Sequence, residues 1–320
     1  MYDYRGAAMS ELIVRKMRFA FAEAPVPFCW NEDNPAFSSM ANAVSFLAVA
    51  FEKMIGAMVP EVMPRITDPE VAAEADAFTR QEGQHSMAHR QHTKALIKQY
   101  PGLKQTLDEV IASYDDLTAN TPLEYRLAYT ADLEATFTPA FKLMLDNDAT
   151  LFAPGDDRVA SLFLWHFVEE VEHRSSALTI YDAVVASPWY RMRVAPSVFA
   201  HVWAALKIAC AGFNVHVPLE DRRIDAISMF GMQARKKALL QRLPLVTAPY
   251  DGPVANAFAR LPKREMLTAL TGVVRSQIPG HDPAQEALPD LAQEWFDRYD
   301  AGYEVTRWYT AATNESDAHV

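Results

Sequence analysis

Apolar residues recur along most of this chain at the three-to-four residue spacing of a helix face, in long segments rich in Ala, Leu, Met and Glu. Strict apolar–polar alternation of β-branched residues is almost absent, so the pattern predicts an all-α fold. Proline-bearing breaks divide the segments. A first helix is expected over about 38–59, ended by Pro60 and Pro64. Asp68 then caps a second helix with Pro69 in its first turn, which runs to about Tyr100 before Pro101-Gly102. A shorter helix is expected over 104–117. A long one follows from Thr121-Pro122 to about 148, kinked at Pro139. One helix is expected over about 156–186, and a strongly apolar one over 195–213, set off by Pro188 and Pro196. Beyond Glu220 the pattern weakens, with helices expected near 221–242, 263–276 and 284–299. No low-complexity tract or linker divides the chain. It therefore reads as a single helical domain over 1–320: a helical bundle at about 38–187 and a helical extension at about 188–320.

Charge and composition narrow the function classes. The formal charge is −11 and no Lys/Arg run supplies a local basic face, which argues against a nucleic-acid partner. The two cysteines, Cys29 and Cys210, form no CxxC pair, so a disulfide framework is not expected and a reducing cytoplasm is the default location. The first residues are charged and show no uninterrupted apolar stretch of the secretory kind. The segment 195–213 approaches the length of a membrane span but carries His201 and Lys207. It is expected as a buried core helix, with peripheral membrane contact as the other reading.

The candidate chemistry lies in two Glu-x-x-His sequences, Glu82-Gly-Gln-His85 and Glu170-Val-Glu-His173. Three residues along a helix return a side chain to nearly the same face one turn away, so each pair can bind one cation from a single helix. Alone, such a match is common in helical proteins. Here each is preceded by a helix carrying one further candidate, Glu52 in an otherwise apolar stretch and Glu134 near a helix centre. Two helix pairs, each giving Glu and then Glu-x-x-His, resemble the ligand pattern of ferritin-like dinuclear carboxylate proteins, so the bundle is expected to be a ferritin-like four-helix bundle. Four anionic carboxylates offset two divalent ions, and neutral imidazoles complete the coordination without adding charge. That donor set suits iron or manganese, with zinc accommodated, and does not suit Cu(I), which favours sulfur. His166, which shares a face with Glu170 and His173, is the candidate third imidazole, and His89, on the Glu82–His85 stripe, is its rival. The plainer readings are surface positions on amphipathic helices for the two motifs, and salt-bridge or packing roles for Glu52, Glu134, His166 and His89. Asp132 is the substitute for Glu134. Asp132 and Arg174 are also candidates for orienting the ligands, while Glu169 and Glu172 read as outer or solvated residues.

The runs Gln81-Glu-Gly-Gln-His-Ser-Met-Ala-His89, Ala131-Asp-Leu-Glu-Ala-Thr-Phe-Thr138 and Leu164-Trp-His-Phe-Val-Glu-Glu-Val-Glu-His173 resemble the core motifs of a bacterial family catalogued as predicted metal-dependent hydrolases. The likeness extends over roughly residues 10 to 285 and includes Pro279-Gly-His-Asp-Pro283. The order of acidic and His residues is also similar to that of di-iron N-oxygenases acting on aromatic amines. That resemblance implies Glu52, Glu82, His85, Glu134, His166, Glu170 and His173 as ligands of two metal ions, and it does not extend outside the ligand helices. The leading expectation is a non-haem di-iron oxygenase or oxidase acting on a small, hydrophobic organic substrate with O2 and an electron donor. The alternative is a hydrolase with a dinuclear centre, and the third reading is metal or oxidant handling. A homodimer is one assembly open to such a chain.

Overall fold

The computed structural model describes residues 12–229 and 252–310, and among them no strand occurs. Helix α1 (Pro35–Val62) begins where Asn34 accepts a hydrogen bond from the Phe37 N–H at 3.0 Å, with Pro35 in the first turn. It therefore starts earlier than its apolar periodicity suggests. It also runs through Pro60, which sits in the last turn, and a short 3-10 turn (Met63–Arg65) follows before the reversal. Helix α2 (Pro69–Gln99) starts as expected, with Asp68 accepting from the Glu70 N–H at 2.9 Å. Helix α3 (Leu103–Asn120) and helix α4 (Leu123–Leu145, through Pro139) match their expected positions to within a few residues.

The single helix expected over 156–186 is two helices. After the short α5 (Asp148–Leu151), α6 (Asp157–Glu172) stops at His173 and α7 (Ser176–Val184) restarts after a turn. Arg174 donates to the helix-end carbonyl of Val171 at 2.7 Å and, across the fold, to Pro283 O at 2.9 Å, which ties the chain away from a helical path. Conversely, the break expected at Pro196 does not occur: α8 is continuous over Pro188–His216. Nor is α8 a core helix. It lies outside α3 and α4 and buries one stripe, Val194, Val198, Ala205, Ala209 and Phe213, while Trp189 and Val215 stand exposed. Two segments, 35–65 and 188–216, are long and apolar enough to cross a membrane by length and composition; the first is largely buried within the fold.

Downstream, a short α9 (Leu219–Arg222) ends at Arg223, whose φ of 62° is left-handed. This shortens the helix expected at 221–242, and residues 230–242 of that expectation lie outside the described residues. Helix α10 (Lys263–Ser276) has the expected bounds and packs on α4. Helix α11 (Asp290–Asp300) starts later than expected because Pro283 and Pro289 confine the preceding residues to a 3-10 turn and a loop. Cys29 and Cys210 are both buried and free.

Four helices define the interior. α1 packs on α2 and α4, and α6 packs on the same two, closing a ring of contacts. Helix α6 is buried on every side from Arg158 to Val171, as an apolar run such as Leu162-Phe-Leu-Trp165 requires. Each buried side chain of the Leu or Phe class contributes about 1.5–3 kcal/mol, so this helix anchors the domain. An irregular strap over residues 12–34 lies across the helices and buries Phe19, Phe21, Val26, Phe28 and Trp30.

Candidate metal centre

The ring of helices holds charge at its centre. From α1 comes Glu52, from α2 Glu82 and His85, from α4 Glu134, and from α6 His166 and Glu170, with His173 at its C-terminal cap. All seven are buried. Potential donor atoms of Glu52, His85 and His166 lie within 4.8 Å of one another, and so do those of Glu82, Glu134, Glu170 and His173. Glu170 joins the two groups. Its Oε1 is 2.8 Å from His166 Nε2 and 3.5 Å from His85 Nδ1, while its Oε2 is 3.0 Å from His173 Nε2. Glu82 Oε1 lies 3.2 Å from His173 Nε2 and 3.8 Å from His85 Nδ1, so it too faces both sides.

Each of the three imidazoles presents one nitrogen to this centre and gives the other to a protein group. His85 Nε2 meets Glu169 Oε2 at 2.8 Å, His166 Nδ1 meets His89 Nε2 at 2.7 Å, and His173 Nδ1 meets Gln81 Oε1 at 3.0 Å. Such backing fixes ring orientation and tautomer in metal-binding histidines. Glu169 is in turn held by Arg15 from the N-terminal strap at 3.0 Å, and Arg15 also bonds Glu172 at 2.9 Å. The Arg15 guanidinium stacks over Phe296, 4.7 Å from the ring centroid.

The unpartnered atoms point to a cation. Glu52 Oε2, both Glu82 carboxylate oxygens, Glu134 Oε1 and His85 Nδ1 are buried without a hydrogen-bond partner. An unsatisfied buried polar atom costs about 1–3 kcal/mol, and more when charged. Several lone pairs converging on one dry space, with few protons between them, are satisfied together by divalent ions, so the residues present fit a metal centre.

Electrostatics agree. Burial, followed by the charge of Glu82, lifts the Glu52 carboxyl well above its ordinary range. Burial and the Glu170 charge do the same to Glu134, and push Glu82 up to about 7. Burial opposes ionisation of Glu170 too, but the His173 charge, the hydrogen bonds from His166 and His173, and the nearby His85 ring hold that carboxyl well below the usual range. Burial disfavours charge on His85, yet its hydrogen bond to Glu169 and the nearby Glu170 carboxylate keep its pKa raised, and the Glu170 charge does so for His173. His166 is lowered to about 4 by burial and the nearby His85 charge.

His89 does not join either group. Its Nε2 is taken by His166 and its Nδ1 by Ser45 Oγ at 2.8 Å. Asp132 points away, to Arg191 at 3.2 Å, because Arg191 is buried beside it, and Arg174 serves the helix end described above. Glu169 is fully buried rather than solvated. His92, which extends the Glu82–His85 stripe in sequence, is buried against Ser45 and stays outside both groups; Arg15, Gln81 and Ser45 were not singled out from sequence. Gln81 had a usable signal, since it shares a helix face with the motif that follows it. Arg15 had none, because the strap has no periodicity.

A family model described as "predicted metal-dependent hydrolase" matches residues 13–249, which includes every residue of the centre. No curated protein and no solved structure gives a match.

Proposed function

Because the chain belongs to the predicted metal-dependent hydrolases, we propose that it is a hydrolase whose active site is a dinuclear metal centre in the helix ring. The observation that carries this reading is the convergence of four Glu and three His side chains from four helices, with unpartnered buried atoms directed at one another. Glu52, His85 and His166 would hold one ion, and Glu134 and His173 the other, with Glu170 and Glu82 shared between them. When bound, two divalent ions act as Lewis acids and lower the pKa of water to near neutrality. The chain itself supplies orientation and dryness. Glu169, His89 and Gln81 lock the three imidazoles, while Phe78, Trp165 and Phe141 stand against the rings and keep bulk water away. The apolar surround favours a small, hydrophobic substrate with a hydrolysable bond. Zinc or manganese suits this chemistry.

A second reading, a di-iron oxygenase, is favoured by one observation: the donor set is carboxylate-rich, and hard oxygen donors stabilise higher oxidation states of iron. The experiment that separates the two loads metal-free protein with Zn(II) or Mn(II) under nitrogen and screens small ester, amide and phosphoester substrates. Turnover without O2 is the expected result. Turnover restricted to Fe(II)-loaded protein, with stoichiometric O2 uptake, would move the assignment to the oxygenase.

A further inference from the structure

Behind His166 lies a buried row of polar groups that the metal centre does not consume. His166 Nδ1 lies 2.7 Å from His89 Nε2, His89 Nδ1 lies 2.8 Å from Ser45 Oγ, and Ser45 Oγ lies 2.8 Å from His92 Nδ1. Ser45, His89 and His92 are fully buried. The row ends at His92 Nε2, which has no partner and sits between the Phe21 and Phe163 rings. Three imidazoles this close in an apolar surround stay neutral, because each charge would be desolvated and repelled by the next. Burial accordingly lowers His89 and His92, the latter to about 3.

Neutral histidines carry one N–H each, so a single assignment fixes the whole row. In the metal-free protein His166 Nε2 faces the Glu170 carboxylate at 2.8 Å, which only accepts. His166 therefore donates through Nε2 and accepts at Nδ1. His89 then donates from Nε2 and accepts at Nδ1 from the Ser45 hydroxyl, whose oxygen accepts from His92 Nδ1–H. The unpartnered His92 Nε2 is left as a lone pair, a milder defect than an orphaned N–H.

We propose that Ser45, His89 and His92 form a tautomer relay behind His166, and that coordination of a cation at His166 Nε2 reverses every hydrogen bond along it. This rests on the metal-centre reading above. The reversal balances in protons. His166 releases its Nε2 proton to solvent and takes one at Nδ1 from His89 Nε2. His89 takes one at Nδ1 from Ser45, Ser45 takes one from His92 Nδ1, and His92 gains one from solvent at Nε2. The row stays neutral throughout. In the reversed state His166 Nδ1–H is held by an acceptor, so the ring is locked with its lone pair on the ion. The three residues are positioning residues, acting through His166.

Long-range proton–nitrogen spectra of histidine side chains test this in the full chain, metal-free and zinc-loaded. The expected result is that zinc converts His89 from the Nε2–H to the Nδ1–H tautomer, and His92 from Nδ1–H to Nε2–H. If zinc binds in the centre and His92 keeps its tautomer, the relay is wrong while the metal reading stands; if the wild-type chain takes up no zinc, both fall. Ser45→Ala, which removes one hydroxyl, cuts the relay in the middle. In that variant His92 should no longer respond to zinc and zinc affinity should drop by roughly 10-fold, within the range typical of groups that orient ligands. A His92 that still switches in Ser45→Ala overturns the proposal. His89→Gln, which offers an amide acceptor to His166, should bind zinc within a few-fold of wild type, whereas His89→Leu should lose about 10–100-fold. Equal affinity in those two variants also counts against it.

Discussion

The two Glu-x-x-His motifs are alike in sequence and unlike in place. In the first, His85 sits mid-helix, presents Nδ1 to the centre and rests its Nε2 on a carboxylate, Glu169, clamped by a buried arginine. In the second, His173 caps the end of α6, presents Nε2 and rests its Nδ1 on the neutral amide of Gln81. The carboxylates differ as well: both Glu82 oxygens are unpartnered, while both Glu170 oxygens receive imidazoles. Helical spacing brings a Glu and a His to one face, but the ring nitrogen used and the charge behind it come from elsewhere in the chain. Apart from Glu82 and Glu170, which face both, one side of the centre has two imidazoles and one carboxylate, the other one imidazole and one carboxylate, so the two sides should differ in their preference for harder and softer ions.

The most damaging change to this asymmetry is Glu170→Ala, which removes the side chain whose two oxygens meet imidazoles of different groups. Metal content by elemental analysis should fall to near zero, with activity lost; retention of two ions per chain would show that Glu170 joins nothing. Next comes His173→Ala, which should sharply reduce metal content while sparing the Glu52–His85–His166 side; full occupancy would remove His173 from the ligand set. Arg15→Met should follow. It leaves the buried Glu169 carboxylate with only its His85 contact, costing up to about 3–5 kcal/mol of stability in urea unfolding. It should also weaken metal binding about 10–100-fold through His85. Gln81→Ala, which removes a neutral partner, should cost less on both measures, and an equal loss would erase the distinction between the sides.

The mildest test is pH. Glu82 titrates near 7 in the metal-free fold against about 4.5 in an unfolded chain, so the fold binds more protons between those values. Stability of metal-free protein should therefore fall as pH rises from about 4.5 to 7, and metal affinity should climb through the same window as the ions displace protons. Calorimetric zinc titrations at pH 6 and 8 check the sign through the protons released.

Much of this was legible in the chain. Caps and periodicity gave α2 and α10 nearly to the residue, and the repeated motif named six of the side chains that the fold brings together; His166 stood open against His89, and the fold groups His166. Proline misled twice, because Pro60 and Pro196 are carried within continuous helices. The break at His173 was illegible since its cause, the Arg174 bond to Pro283, joins residues remote in sequence. Arg15 was hidden for a similar reason: its partners Glu169 and Phe296 are assigned only by the folded path of an aperiodic strap.

The Arg15 clamp also sets a timetable. Arg15 leaves the ribosome before Glu169, and Glu169 before the aromatic rings of Trp295, Phe296 and Tyr299 that shelter the guanidinium. At about 5–20 residues per second, the interval between Arg15 and Trp295 is on the order of 15–60 s. Until it has passed, the acid behind His85 lacks its sheltered counter-charge, so the support behind that imidazole is completed only after the last helix has emerged.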